Sequence, residues 1–296
     1  MKTVEYYLLD VFTDRPFTGN PLAVFLDTDG LSTSSMQALA NELNLAETVF
    51  LGAADAPNHY PMRIFTPTIE LPFAGHPTVG TAYLLAELNL VNREQPLVLA
   101  PPVGALVVNF SQQSATFTTA QPATIEDSPL DHATTATLLG LETHQVMGDT
   151  VVASCGLPYH LIELADTAAL ASVQISPAIW GKTVTTSGAE QIYLYVMEQH
   201  NETEFVVRSR MFSMEHSLCE DPATGSAAAA LTGYLASKQS DALRCTIRQG
   251  VEMGRPSVIH TAANGEIKHG LVAVGGHAVV VGRGAFEIHH SMADSY

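Results

Sequence analysis

Basic side chains are scarce in this chain. Thirteen Lys and Arg stand against 30 Asp and Glu, a formal charge of −17 with the histidines neutral. No segment gathers a local basic excess, so a nucleic-acid groove or an anionic lipid surface has nothing to bind with. Cysteine is as sparse: Cys155, Cys219 and Cys245 are widely spaced and form no C-x-x-C, which argues against a disulfide framework and a zinc knuckle. Bilayer-spanning apolar runs are missing. Residues 1–7 run straight into strand-like sequence with no basic stretch followed by an apolar one, so no export signal is read and the expected location is the cytoplasm. Twelve histidines are present, but neither H-E-x-x-H nor a Cys/His cluster, so no metal is expected, and His289-His290 reads as a solvated tail. No cofactor is expected either. Gly181-Lys182-Thr183 lacks the first glycine of a phosphate loop, where Ser176 stands, and Gly282-Arg283-Gly284 lacks the third glycine of a dinucleotide fingerprint.

What is present describes a folded, core-rich protein. Of 296 residues, 46% are apolar and 15% charged, enough for two domains of ordinary size. Strand patterns occur at 6–12, 22–26, 48–51, 62–65, 97–99, 105–110 and 115–118, and again at 160–164, 191–197, 205–210, 258–260, 271–274 and 278–282. An amphipathic helix is expected at 32–44, with Met36, Leu39, Ala40 and Leu43 on one face, and two strongly apolar helices at 77–88 and 222–237. Strands and helices do not alternate regularly, which points to an α+β fold. Residues 121–132 are rich in Pro, Thr and Asp and mark the crossing between domains, placed at 1–120 and 121–282.

The chain repeats itself. His76-Pro77-Thr78-Val79-Gly80-Thr81-Ala82 and Asp221-Pro222-Ala223-Thr224-Gly225-Ser226-Ala227 share [H/D]-P-x-x-G-[T/S]-A, 145 residues apart. A fainter echo pairs Gly19-Asn20-Pro21 with Gly156-Leu157-Pro158, 137 residues apart. Proline suits the first helical position, which puts His76 and Asp221 at the two caps. Gly80 and Gly225 then leave the turn open to a ligand or another backbone. A helix start presents about half a positive charge and several N–H donors. Two such starts facing each other would hold a small acid without Lys or Arg.

Phe73-Ala74-Gly75-His76-Pro77-Thr78 and Glu220-Asp221-Pro222-Ala223-Thr224-Gly225-Ser226-Ala227 closely resemble the signatures of the PhzF-like (phenazine biosynthesis) family. So do Asp10-Val11-Phe12, Gly19-Asn20-Pro21-Leu22-Ala23-Val24, Ala46-Glu47-Thr48-Val49-Phe50, Arg63-Ile64-Phe65-Thr66-Pro67, Gln249-Gly250 and Gly254-Arg255-Pro256-Ser257. The resemblance implies a diaminopimelate-epimerase-like fold: two pseudo-symmetric α+β domains, each a curved, mostly antiparallel sheet around a central helix, with the active site in the cleft between them. It implies that the C-terminal strand, about 283–296, returns to the first domain, and that the chain forms a homodimer. The implied activity is cofactor-independent isomerisation of a small anionic substrate by carboxylate acid/base catalysis. Glu47 would be the general acid/base and His76 and Asp221 would support proton movement, while Gly75, Gly225, Ser226 and Asn20 would bind the substrate.

One departure separates this chain from cysteine-dependent racemases of the same superfold, which place a thiol at each helix start. Cys219 lies near the second start without a partner and reads as a small buried hydrophobe. Amino-acid epimerisation by paired thiols is therefore disfavoured, and a binding protein that has lost turnover is the alternative from another class. The segment 213–219 departs from the family more than its flanks do, which leaves substrate identity open, and His216 within it reads as an exposed loop histidine.

Overall fold

The computed structural model describes residues 2–102, 104–111, 114–214, 217–239, 242–263 and 270–288. His216, His289 and His290 lie outside them. The chain divides into two compact units, Met1–Thr118 with Gly275–Tyr296, and Thr119–Val274. The first runs β1 (Lys2–Val11), β2 (Asn20–Phe25), α1 (Thr33–Leu43), β3 (Glu47–Leu51), β4 (His59–Phe65), β5 (Glu70–Leu71), α2 (Gly75–Glu87), β6 (Leu97–Ala100), β7 (Leu106–Ser111) and β8 (Ser114–Thr118). The second begins with β9 (Thr124–Asp127), α3 (His132–Leu139), β10 (Val146–Ser154), β11 (Pro158–Leu164), α4 (Thr167–Ser172) and α5 (Pro177–Thr183). It continues with β12 (Gln191–His200), β13 (Glu204–Met214), β14 (Leu218–Asp221), α6 (Gly225–Ser237), β15 (Leu243–Gln249) and β16 (Ser257–Ala263). After β17 (Ala273–Gly276), β18 (Ala278–Ile288) lies antiparallel to β1, with Val4 opposite Phe286.

Strand pairing follows the same order in both units, and this is the internal repeat in three dimensions. In the first, β1–β2 is antiparallel, β2–β3 parallel, β3–β4 and β4–β5 antiparallel, and β4–β6 parallel. In the second, β10–β11 is antiparallel, β11–β12 parallel, β12–β13 and β13–β14 antiparallel, and β13–β15 parallel. Gly19-Asn20-Pro21 and Gly156-Leu157-Pro158 fall in equivalent hairpins, β1–β2 and β10–β11.

A duplicated ion pair fixes the register of the repeat. Arg63 forks onto Glu70 at 2.7 and 2.6 Å, and Arg210 onto Glu220 at 2.7 and 2.8 Å. Each guanidinium also lies over the phenylalanine two residues on, 5.1 Å from the Phe65 ring centre and 4.8 Å from that of Phe212. A planar fork held on two sides ties the short strands β5 and β14 to their neighbours. Glu70-Leu71-Pro72-Phe73-Ala74-Gly75 therefore corresponds to Glu220-Asp221-Pro222-Ala223-Thr224-Gly225. This corrects the 145-residue register read from sequence by five positions: the partner of Pro222 is Pro72, the partner of Ser226 is His76, and Asp221 matches Leu71. Proline at 77 misleads because the N–H groups of a whole first turn lack helical acceptors, so proline fits any of its early positions.

The caps change accordingly. α2 is capped by Ala74 and α6 by Thr224, in neither case through a side chain. His76 lies inside the first turn of α2, and Asp221 precedes α6 at the end of β14. By contrast α1, α3 and α4 receive side-chain caps from Ser32, Asp131 and Asp166.

Both apolar helices are buried on nearly every side, as a helix without a polar face must be. α2 contacts β1, β2, β3, β6, β7, β8 and β18, and α6 contacts β9, β10, β11, β15 and β16. Gly80 serves close packing: a Cβ there would meet Leu22 Cδ2 at 2.5 Å and Val11 Cγ2 at 2.7 Å. α1 covers the other face of the first sheet, seating Met36, Leu39 and Ala40 on Val4, Phe25, Phe50 and Phe65. Residues 121–132, read as a crossing segment, contain β9 and the start of α3. Gly181-Lys182-Thr183 lies within α5, around the buried Trp180, and forms no loop.

Candidate active site

In the first unit, three chain segments converge on the start of α2. The β2–β3 register sets Glu47, the first residue of β3, beside Leu22. β2 itself begins with the buried Asn20 and the half-buried Pro21. His76 Nδ1 lies 3.5 Å from Glu47 Oε2, with 5% and 18% of the two side chains exposed. The Pro21 carbonyl accepts a hydrogen bond from the His76 ring. Burial pushes the His76 pKa down to about 3, and that carbonyl offsets only part of the effect. The ring is thus neutral near pH 7, so its contact with Glu47 is not an ion pair. His76 Nε2 is buried and has no hydrogen-bond partner among the described residues. Gly75, the first residue of α2, is buried beside it.

In the second unit, Asp221 accepts a hydrogen bond from the Thr224 hydroxyl at Oδ2. The amide of Gln249, fully buried, donates to the Asp221 carbonyl at 2.8 Å and to Thr224 Oγ1 at 2.9 Å. Its oxygen accepts from the Thr224 N–H and the Tyr193 hydroxyl, each at 3.2 Å, and Tyr193 meets Ser209 at 2.9 Å. Burial, with Asp221 among the nearby charges, raises the Tyr193 pKa far above its ordinary value, so this hydroxyl keeps its proton. Gly250 makes the approach possible. Its φ is +72°, and a Cβ there would lie 2.5 Å from both the Pro222 and Arg255 carbonyl oxygens. Gly225 and Ser226 open α6, and Ser226 Oγ lies 2.7 Å from the Tyr159 hydroxyl.

The fold therefore joins Glu47 to His76 and His76 to the Pro21 carbonyl, and Asp221 to the start of α6. Sequence reading missed Tyr193, Ser209, Thr224 and Gln249 as supports of Asp221. The signal available was the Gln249-Gly250 pair, which carries no chemistry until β15 is laid beside β13. Cys219 is exposed on β14 and is not the buried hydrophobe expected. Among the described residues, no group of three or more His, Cys, Asp or Glu is arranged to hold a metal ion, and no helix is long and apolar enough to cross a membrane.

Comparison with known proteins covers almost the whole chain. The family described as phenazine biosynthesis-like protein matches residues 9–284. An uncharacterised isomerase of Mesorhizobium japonicum is 38% identical, over 96% of this chain and 99% of its own. The trans-2,3-dihydro-3-hydroxyanthranilate isomerase of Pseudomonas chlororaphis is 33% identical, over 95% and 98%. Among solved structures, a phenazine biosynthesis protein of Bacillus anthracis aligns with a TM-score of 0.87 over 97% of this chain and 100% of its own, at 24% identity.

Proposed function

Because the chain belongs to the phenazine biosynthesis-like (PhzF) family of isomerases, we propose that it moves a proton along the carbon skeleton of a small carboxylic acid. Glu47 removes the proton from carbon, and the electron pair spreads into the acid as an enolate or dienolate. The start of α2 favours that developing charge. His76, neutral and already tied to the Pro21 carbonyl, directs Glu47 without adding charge, and its unpartnered Nε2 accepts a hydrogen bond from the substrate. Glu47 returns the proton to a different carbon of the same molecule, so no redox partner is needed. A cyclic hydroxy acid or amino acid fits this scheme, in keeping with the dihydro-hydroxyanthranilate named for the Pseudomonas chlororaphis relative.

The observation that carries the reading is the approach of the Glu47 carboxyl to a buried, neutral imidazole in the first turn of a buried helix. Incubation with candidate cyclic hydroxy and amino acids in D2O, followed by NMR, should show deuterium entering at carbon. The rate should fall by roughly 10²–10⁴ in Glu47→Gln. Exchange that persists unchanged in Glu47→Gln would remove Glu47 from its role. Binding without exchange across the library would favour a protein that only binds.

A further inference from the structure

We infer that Gln191 is a specificity-determining residue of the second unit, holding there the place that Glu47 holds in the first, and that its buried amide oxygen accepts a hydrogen bond from a hydroxyl or amino group of a small acid. The class of ligand rests on the isomerase reading; the geometry lies wholly within the second unit.

Two strand registers give the correspondence independently. In the parallel pair β2–β3, Leu22 lies opposite Glu47 and Ala23 opposite Thr48. In the parallel pair β11–β12, His160 lies opposite Ile192. Gly19-Asn20-Pro21 matches Gly156-Leu157-Pro158, so Leu22 and Ala23 match Tyr159 and His160, and Thr48 matches Ile192. The neighbouring antiparallel pairs agree: Thr48 lies opposite Phe65 and Ile192 opposite Phe212, the two phenylalanines that carry the forked arginines. Glu47, one residue before Thr48, therefore matches Gln191, one residue before Ile192. Each opens its strand.

The correspondence reaches the buried helices. His76 is the second residue of α2 and Ser226 the second of α6. In the first unit Glu47 meets His76. In the second, the Ser226 hydroxyl meets that of Tyr159 at 2.7 Å, and Gln191 Oε1 is buried without a hydrogen-bond partner among the described residues. An acceptor hidden from water and left unpaired works against folding. Its presence where the other half of the repeat carries an acid/base residue is explained by a ligand that completes it. That ligand brings a donor, because a carbonyl oxygen only accepts, so a bare carboxylate does not suffice and a hydroxyl or amino group is required. The amide takes up no proton near neutral pH, so Gln191 binds and does not carry protons. It is also uncharged. In a chain of formal charge −17, a carboxylate at this place would repel an acid that the amide admits.

The first test needs no ligand. Gln191→Met keeps the length of the side chain and removes the acceptor, so the free full-length protein should unfold at the temperature of the parent or above it. A lowered midpoint would show an amide already satisfied by the fold and would overturn the inference. The second test is calorimetric binding of 3-hydroxyanthranilate, anthranilate and 3-hydroxybenzoate, which differ only in the donor groups beside the carboxylate. The parent should favour 3-hydroxyanthranilate over at least one of the others by roughly 2–10-fold, a ratio that falls to about one in Gln191→Met. Gln191→Glu keeps an acceptor and should preserve the ratio while binding all three acids more weakly; loss of the ratio there as well would count against an acceptor role. A ratio unchanged in Gln191→Met would overturn the inference and leave the isomerase reading standing, which Glu47→Gln tests separately by D2O exchange. Failure of the parent to bind any of the three would overturn the inference together with the cyclic-acid reading on which its ligand class rests.

Discussion

Glu47 and His76 meet at 3.5 Å across the start of α2, carboxyl oxygen to Nδ1, although 29 residues separate them in the chain. The contact joins the end of one strand to the first turn of a helix, and both groups are largely hidden from water. A histidine beside a carboxylate ordinarily gains a proton more readily. Here the removal of water outweighs the neighbour and leaves the ring neutral.

The imidazole of His76 should therefore show no titration between pH 5 and 8. Its ¹⁵N shifts, followed by NMR, should stay at neutral values through this range, in line with a pKa of about 3. A midpoint near 6.5 would show that Glu47 prevails over burial.

His160 supplies a pH dependence away from the site. Its two nitrogens lie 2.8 Å from Ser128 Oγ and 2.7 Å from Ser187 Oγ, and burial pushes its pKa to about 4 from an ordinary 6.5. The unfolded chain takes up a proton near 6.5 and the folded chain only near 4, so acid favours unfolding. Stability from this group is complete above pH 6.5 and declines as pH falls towards 4, by about 2 kcal/mol between pH 7 and 5. Urea unfolding at the two pH values should show that difference between the parent protein and His160→Asn; equal slopes would contradict it.

Two glycine substitutions should differ in kind. Gly80→Ala presses on the Leu22 and Val11 side chains, which can shift, and should cost roughly 1–3 kcal/mol. Gly250→Ala presses on two backbone carbonyls at a positive φ, so it should destabilise more. It should also slow D2O exchange, because it displaces Pro222 next to Asp221. Comparable losses of stability in both would show that the Pro222 approach is readily relieved.

Replacing Arg210 with Lys should cost more than replacing Arg63. Arg210 also donates to the Leu170 carbonyl, and its side chain is 10% exposed against 32% for Arg63. A lysine reproduces neither the fork nor the third bond, and the buried acceptors left behind cost roughly 1–3 kcal/mol. Denaturant midpoints rank the two variants, and a larger loss for Arg63→Lys would reverse the assignment.

Much of this was legible in the chain. Ser32 at the cap and Met36, Leu39 and Ala40 on one face identify α1, because helical periodicity is a local property. The unbroken Ala and Leu content of α2 and α6 announces burial on all sides. Other elements escaped. β10 is interrupted by Gly148 and Asp149, where its register with β11 shifts between Met147 and Val151. β15 alternates buried Leu243, Cys245, Ile247 and Gln249 with exposed Arg244 and Arg248, and the polar Gln249 at an inward position hid the pattern.

Residue order alone determined the two-fold repetition, the α+β class and the buried helices, because these follow from local pattern and side-chain identity, whereas Glu47 was singled out by family resemblance. Tertiary structure decided the register of the repeat, the caps and the partners. Arg63–Glu70 and Arg210–Glu220 set which residues correspond, and strand pairing brought Gln249 and Tyr193 to Thr224 and Asp221. Hydrogen bonds between groups distant in the chain exist only once the sheets have formed, so neither motif spacing nor propensity could supply them.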